Sequence, residues 1–388
     1  MAIKLQRLIE KAAHMDITLV AGKNGIHNPV TWVHMVETME ASDFLEGGEI
    51  AFTTGLGLGT HVSLLELISF MKSKNVSGVI VNTGPFIESI SEETIDFCNR
   101  NDFPLYVVPW KIHLAEIMRI FCFAITKDEE SILKTASGFK NAIFFPKQEE
   151  LYVISLASQG FAADSNYSVC VISINSPVSD LETRLENLAA NLNIYSGHNY
   201  DDYAIFVNNK SEILIITRDY NKARLHKYIQ DIRTRIIHYL LPGESITIGC
   251  GKITKSIRCL YKSYAQAKAI AKMHYKKKIP ESLIFYSDMG IYKLLMSIDD
   301  YDILTEYYTN ILGPLEEHDK KYNSDYITVL KTYLYNNGSV QETAEILFLH
   351  RNTVNYKLSK IAELIKMDLS RLDTRMQLMV GFMIKDMF

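Results

Sequence analysis

A cluster of long polar and basic side chains lies near the C-terminal end of the sequence. Its members are His350, Arg351, Asn352, Thr353, Asn355, Tyr356, Lys357 and Lys360. Arginine and asparagine can each make paired hydrogen bonds to the major-groove edge of a base, and lysine can neutralise a phosphate. We therefore expect this segment to contact double-stranded DNA, with Arg351 and Asn352 at base edges and Lys357 and Lys360 at phosphates.

The same segment has the spacing of an amphipathic helix. Val354, Leu358 and Ile361 recur at i, i+4 and i+7, as the buried face of a helix requires, so the polar side chains would lie on the opposite face. Between Arg351 and Lys366, four basic residues accompany one acidic residue in a chain of net charge −4. Such local positive charge is typical of a small nucleic-acid-binding element.

The residues before this helix predict a shorter helix and a tight turn. Gly338 tolerates the left-handed conformation that ends a helix. Ser339 predicts an N-cap, and Glu342 predicts the reciprocal half of a capping box. Ala344 allows two helices to approach closely, whereas Phe348 stands where many such turns have a small residue. The pattern predicts a helix-turn-helix, although an ordinary helical hairpin with a solvated polar face would share it.

A second candidate site lies in the N-terminal region, where apolar runs alternate with helical patterns. This alternation predicts βαβ units in a parallel sheet. One predicted strand ends at Thr53, Thr54 and Gly55, and ligands gather at the carboxyl ends of strands in open α/β sheets. We expect these residues, with His34 and Glu37, to bind a small polar metabolite. A structural turn with satisfied hydroxyls fits the same residues equally well.

The composition predicts a globular protein with several domains. The 388 residues are 47% hydrophobic and 22% charged, which is enough to bury several cores. The five cysteines form no C-x-x-C pair and the histidines no metal-binding spacing, so we expect reduced thiols, no metal and no cofactor. The segment Met1–Glu10 lacks the apolar run of a signal peptide, and no apolar stretch reaches the ~20 residues of a membrane span. We expect a cytoplasmic protein without membrane contact.

Four regions follow from these patterns. They are an α/β domain at 1–127, a helical connector at 128–160, a second α/β domain at 161–295 and an all-helical domain at 296–388. The predicted fold class is thus α/β, followed by an all-α C-terminal domain that contains the helix-turn-helix. A single small motif gains useful affinity when two copies occupy half-sites one DNA turn apart, so we expect a homodimer or a higher homo-oligomer.

Motifs at both ends of the chain resemble those of PucR-type transcription regulators. The C-terminal motif contains Asn337-Gly-Ser-Val340 and Leu349-His-Arg-Asn-Thr-Val-Asn-Tyr-Lys-Leu358. The N-terminal region resembles the sensory domain of the same family at residues 25–34, 47–57, 78–81 and 104–110. The middle region resembles a degenerate GGDEF-like domain at residues 247–249, 263–267 and 286–292. The resemblance covers nearly the whole chain.

This resemblance implies a ligand-responsive regulator, often of genes for the catabolism of purines or other nitrogen compounds. Family members commonly act as activators, so it implies an activator here. The implied effector is a small nitrogen-containing metabolite, whose identity the resemblance leaves open.

An enzyme is the main alternative. A nucleotide cyclase would need acidic residues for magnesium, but the corresponding hairpin is Asn208-Asn-Lys-Ser-Glu212. The run Gly55-Leu-Gly-Leu-Gly59 has Thr60 in place of the third glycine of a dinucleotide-binding loop. The run Gly249-Cys-Gly-Lys252 lacks the spacing of a P-loop, so we interpret its glycines as residues at the end of a strand. We expect no catalytic residues and no enzyme. A nucleotide-binding enzyme or a sensory scaffold that uses the N-terminal domain remains the alternative.

Overall fold

Strands and helices alternate along most of the chain, and its C-terminal quarter is helical. A computed structural model describes residues 3–59, 62–196, 202–298 and 300–388. Met1 and Thr60, to which the sequence arguments above refer, lie outside the described residues. The predicted fold class is confirmed: the fold is mixed α/β with an all-helical C-terminal region.

The described elements are numbered in chain order. The strands are β1 (Ile3–Lys4), β2 (Thr18–Ala21), β3 (Pro29–Val30), β4 (Trp32–Met35), β5 (Glu49–Thr53), β6 (Gly78–Thr83), β7 (Leu105–Pro109), β8 (Tyr167–Asn175), β9 (Tyr203–Asn208), β10 (Glu212–Arg218) and β11 (Ser245–Cys250). The helices are α1 (Leu5–Lys11), α2 (Leu64–Ser73), α3 (Glu92–Arg100), α4 (Leu114–Phe144), α5 (Val153–Ser158), α6 (Leu181–Ser196), α7 (Lys222–Tyr239), α8 (Leu260–Tyr275), α9 (Tyr292–Leu295), α10 (Tyr301–Tyr322), α11 (Tyr326–Tyr335), α12 (Val340–Ile346), α13 (Arg351–Ile365) and α14 (Leu372–Met387).

Two compact units share the chain, and each is built from several segments. The first contains the residues up to Tyr167, together with Ser176–Glu244 and Lys255–Arg258. The second contains Ser168–Asn175, Ser245–Thr254 and Cys259–Phe388. The four contiguous regions expected from the sequence are a different kind of division, and their boundaries stay a prediction.

A five-stranded sheet forms the centre of the N-terminal part of the first unit. Its strand order is β2-β7-β6-β5-β4, in which β4 to β7 are parallel and β2 is antiparallel to β7. The predicted parallel sheet is therefore confirmed. Because β5 is parallel to both of its neighbours, its carboxyl end lies at the same edge as theirs, which places Thr53 at that edge.

Both faces of this sheet are covered by helices, because successive strand residues point to opposite sides. Ile50 and Phe52 of β5 pack in one core with α1 and α4. Ala51, between them, packs in a second core with Leu67 of α2 and Cys98 of α3. The near-continuous apolar run of β5 thus serves two cores at once.

Helix α4 extends well beyond the sheet that it covers. Residue 127, the predicted end of the first domain, falls inside this single helix of 31 residues. Near the C-terminal end of α4, the Phe139 ring contacts Phe161 at 4.8 Å and stacks on Phe206 of β9 at 6.4 Å between centroids. None of the helices in the described ranges combines the length and the hydropathy needed to cross a membrane.

The hairpin that joins β9 to β10 has a polar structural turn. Asn209 and Lys210 both adopt the left-handed conformation that tight hairpins require. At its base, the buried Asn208 side-chain amide donates to the Glu212 carboxylate at 2.7 Å. The predicted hairpin is confirmed. The Glu212 carboxylate, the acidic group of the segment Asn208–Glu212, accepts a hydrogen bond within the hairpin itself.

Strands β8 and β11 pair antiparallel in the second unit, and α8 packs against β11. A Cβ atom at Gly249 would collide with the backbone carbonyl of Ala267, and one at Gly251 with that of Ser263. These glycines therefore permit close packing between strand and helix, which agrees with the interpretation of this run as strand-end glycines.

A buried ion pair joins two helices of the first unit through the segment after α7. The Arg184 guanidinium of α6 donates to the Glu244 carboxylate at 2.8 and 3.0 Å, and the Glu244 side chain is fully buried. Arg184 also donates to the Tyr239 carbonyl. The hydrogen bond from Arg184 lowers the pKa of Glu244 from 4.5 to about 2.

We expect Arg184→Met to lower the free energy of unfolding by about 3 kcal/mol at neutral pH, because it leaves a buried carboxylate without its cation. A depressed carboxyl pKa stabilises the folded state above the unfolded-state value, and this stabilisation is lost as pH falls from 4.5 toward 2. The difference from the wild type in urea unfolding should therefore shrink over that range. Lys134→Met, which removes an exposed pair with Glu130, is the control and should change stability by under about 1 kcal/mol. A similar loss for both variants would contradict the assignment.

Candidate functional site

The C-terminal helices of the second unit enclose one apolar core. Leu312 and Leu315 of α10 pack in it with residues of α11, α12, α13 and α14. Residues 300–388, which the structure describes throughout, contain no strand, as the sequence predicted. This core positions the helix-turn-helix segment, α12 to α13.

The connection before α12 has the predicted stop and start signals. Asn337 and Gly338 both have positive φ, and the Gly338 amide donates to the Tyr333 carbonyl at 2.9 Å, which closes the end of α11. Ser339 is the N-cap of α12, and its hydroxyl accepts from the Glu342 amide at 3.2 Å.

The reciprocal half of the predicted capping box is absent among the described contacts. The Ser339 amide donates to the Asn336 carbonyl at 2.8 Å rather than to the Glu342 carboxylate. The tight turn after α11 has already satisfied this amide, so the Glu342 carboxylate has no cap donor to accept from. The prediction of an N-cap is confirmed, and that of a full capping box is wrong.

Helix α13 has the predicted buried back. Val354 and Ile361 are fully buried, and Leu358 is nearly so. Ala344 of α12 lies in the same core, and its carbonyl accepts from the Leu349 amide at 2.9 Å. The small side chain of Ala344 therefore allows the close approach that the sequence suggested.

The opposite side of α13 is exposed at its N-terminal end. His350 is the N-cap, and its Nδ1 atom accepts from the Asn352 amide at 3.3 Å. Arg351, Asn352, Thr353, Asn355 and Tyr356 are all exposed. The structure thus brings the predicted base-reading residues together at the start of one helix, which is where recognition helices carry theirs.

The two lysines expected at phosphates are paired with carboxylates. The Lys357 ammonium lies 2.5 and 2.6 Å from the two carboxylate oxygens of Asp325, at the N-cap of α11. The Lys360 ammonium lies 2.7 Å from a carboxylate oxygen of Glu363, which raises the pKa of Lys360. Sequence reasoning missed Asp325, because no local spacing rule links residues 32 positions apart.

The residues of the candidate ligand site hold one another. The Glu37 carboxylate accepts from the Thr54 amide at 3.0 Å, from the Thr54 hydroxyl at 2.8 Å and from the Thr53 hydroxyl at 3.2 Å. The Gly55 amide donates to the Thr53 hydroxyl at 3.2 Å. His34 lies opposite Ala51 in the sheet, about 7 Å along the strand from the level of Thr53. Four of the five predicted residues therefore form one hydrogen-bonded cluster.

Two family descriptions match the ends of this chain. Residues 7–125 match the purine catabolism regulatory protein-like family, PucR. Residues 326–384 match the PucR C-terminal helix-turn-helix domain, which contains α11 to α13 and most of α14. The resemblance to PucR-type regulators that the sequence motifs indicated is confirmed for these two regions.

Three similar proteins from Bacillus subtilis are named as transcriptional activators or as a regulatory protein. The chain is 28% identical over 227 residues to the proline-responsive transcriptional activator PutR, with 57% of this chain and 54% of the relative covered. It is 24% identical over 272 residues to the DNA-binding transcriptional activator AdeR, with 66% and 62% covered. It is 32% identical over 107 residues to the purine catabolism regulatory protein, with 27% and 20% covered. The chain thus spans less than two thirds of the length of each of these relatives.

We expect Glu37→Ala to lower the free energy of unfolding by about 1–3 kcal/mol, because it leaves the Thr54 amide and the buried Thr53 hydroxyl without their acceptor. Chemical denaturation measures the loss. Glu88→Ala, at an exposed position of the same unit, should change stability by under about 0.5 kcal/mol. Equal stability of Glu37→Ala and the wild type would show that the cluster contributes nothing to the fold.

Proposed function

Because the chain carries the N-terminal domain and the C-terminal helix-turn-helix domain of the PucR family, in that order, we propose that it is a DNA-binding transcription regulator. The observation that carries this proposal is the two-sided character of α13. Its apolar back is fixed in a core, while its N-terminal polar side chains are exposed and free of that core. A helix of this kind fits the major groove, which is wide enough to admit it.

The polar and basic residues at the N-cap and on the outer side of α13 have different roles under this proposal. Arg351 and Asn352 read base edges, since arginine pairs well with guanine and asparagine with adenine. The neighbouring side chains that complete the contact surface are His350, Thr353, Asn355 and Tyr356. Lys357 and Lys360 contact phosphates, for which their ammonium groups must leave Asp325 and Glu363. Binding is therefore an exchange of carboxylate partners for phosphate partners.

Two copies of the motif are required for useful affinity and specificity. A recognition helix of four turns contacts only a few base pairs, so regulators of this type pair their helices on half-sites about 34 Å apart. We propose that the chain acts as a homodimer or a higher homo-oligomer in the cytoplasm, and that it activates transcription. The names of PutR and AdeR as transcriptional activators support activation.

The N-terminal domain supplies the response to a metabolite in this proposal. Glu37, Thr53, Thr54 and Gly55 lie at the carboxyl edge of the parallel sheet, with His34 nearby. A ligand with ammonium or amide donors could replace the threonine donors on the Glu37 carboxylate. Relatives named for proline response and for purine catabolism support an effector that is a small nitrogen compound. The regulated genes would serve the catabolism of that compound.

We expect Arg351→Ala to weaken binding to a specific DNA site by about tenfold or more and to relax the preference at one base pair, because an arginine–guanine pair contributes about 1–3 kcal/mol of discrimination. The DNA sites would be selected by the wild-type chain from a random-sequence duplex pool. Lys320→Ala, an exposed position near the end of α10, is the matched control and should leave affinity unchanged. Failure of the wild-type chain to enrich any sequence, with and without proline or purine-derived compounds, would contradict the proposed function.

We expect Asp325→Asn to raise DNA affinity, because Lys357 no longer has to leave a carboxylate. A second variant, Lys357→Ala, tests the phosphate contact itself. If Lys357 contacts a phosphate, the slope of log affinity against log salt should be shallower by about 0.9 in this variant than in the wild type. Asp373→Asn, which removes an equal charge on α14, controls for net charge. An unchanged slope in Lys357→Ala would assign this lysine to the fold alone.

A further inference from the structure

Phe348 combines two unfavourable features at one position of the turn between α12 and α13. Its φ angle is +53°, a conformation that bulky L-residues rarely adopt. In the described ranges, the other non-glycine residues with positive φ are all Asp, Asn or Lys. Its side chain is also 95% exposed, more than any other large apolar side chain in those ranges.

The fold of the turn does not depend on the Phe348 ring. The turn is closed by backbone hydrogen bonds, from the Phe348 amide to the Glu345 carbonyl at 3.3 Å and from the Leu349 amide to Ala344. Its side-chain anchors are Leu347 and Leu349, which pack on the helical core. Glycine or asparagine would suit the left-handed backbone better and would expose no apolar surface. The cost of an aromatic side chain here points to a contact made outside the chain.

The position of Phe348 indicates what that contact is. It lies three residues before Arg351, so the two Cα atoms are at most about 11 Å apart along the chain. On its C-terminal side the exposed residues are His350, Arg351 and Asn352, which are polar or basic, whereas Glu345 and Ile346 are exposed on its N-terminal side. Phe348 thus directly adjoins the residues proposed to contact DNA. The apolar group that DNA presents in the major groove is the C5-methyl group of thymine, which phenylalanine side chains contact.

We propose that Phe348 is a specificity-determining residue that packs against a thymine methyl group at the edge of the site read by α13. This inference rests on the proposed function, since it needs α13 in the major groove. Phe348 then has opposite effects on two quantities: it lowers the folding stability of the free chain and raises the affinity of the chain for DNA.

The test uses the full chain, with Phe348→Gly and Phe348→Asn as two variants that suit the left-handed backbone. Both should raise the thermal midpoint by about 2 °C or more, since backbone strain is removed. Both should weaken binding to duplexes selected by the wild-type chain by about fivefold or more. Leu372→Gln, an exposed apolar position on α14, is the control and should keep wild-type affinity.

A second arm removes the methyl group from the DNA instead. Replacing each thymine of the selected duplex by deoxyuridine, one at a time, should reproduce the loss at one position for the wild-type chain. The same replacement should cost the Phe348 variants nothing, because the contact is already absent. Such coupling between ring and methyl group would establish the contact.

Two results would overturn the inference: unchanged affinity of both Phe348 variants, and a loss that no deoxyuridine position reproduces. If affinity is unchanged but transcription activation is lost, the ring would instead be assigned to a protein partner. In each of these cases Arg351→Ala still weakens binding, so the proposed function survives. If the wild-type chain selects no DNA at all, both the proposed function and this inference fail.

Discussion

Burial of Val354, Leu358 and Ile361 determines which side chains of α13 face outward. Each such side chain stabilises the packed arrangement by about 1.5–3 kcal/mol, so rotation of the helix about its axis would be strongly opposed. Any rotation that exposed Val354 would bury polar neighbours such as Asn355 without partners. The buried apolar face of α13 therefore determines which polar side chains the candidate interface exposes. For the same reason, the turn before α13 can contain Phe348, an unfavourable residue, without a change in the rotation of the helix about its axis.

The N-terminal sheet follows the same logic with a different period. Ile50 and Phe52 point to one core and Ala51 to the other, so the strand is held from both sides. At its carboxyl end, the Glu37 carboxylate accepts hydrogen bonds from Thr53 and Thr54. The candidate ligand residues are thus stabilised by one another before any ligand is considered, and a ligand must compete with these internal hydrogen bonds.

Most features with local causes could be predicted from the sequence, whereas the pairing of charged residues far apart in the sequence could not. The buried period of α13, the stop at Gly338 and the N-cap at Ser339 depend on residues within one or two helical turns, and they were found. The pairing of Lys357 with Asp325 depends on how two helices pack. The sequence predicts Glu37, Thr53, Thr54 and Gly55 in one site, but the hydrogen bonds that Glu37 accepts there depend on which strands are neighbours. The capping box was wrong because the Asn336 carbonyl competes for the Ser339 amide, a backbone effect that the residue types do not reveal.

The second unit takes β8 from near residue 170 and pairs it with β11 near residue 250, so Cys170 lies opposite Cys250. During synthesis the ribosome must add about 80 residues, several seconds of elongation, before the first of these strands meets the second. Pairing over such a separation also carries a large loop-closure entropy and slows folding. A fragment that begins at the helical region would lack both strands, so the helices of this unit complete their packing only with strands that were synthesised earlier. Because β8 is synthesised long before the C-terminal helices, the assembly of the whole unit must wait until those helices have also been made.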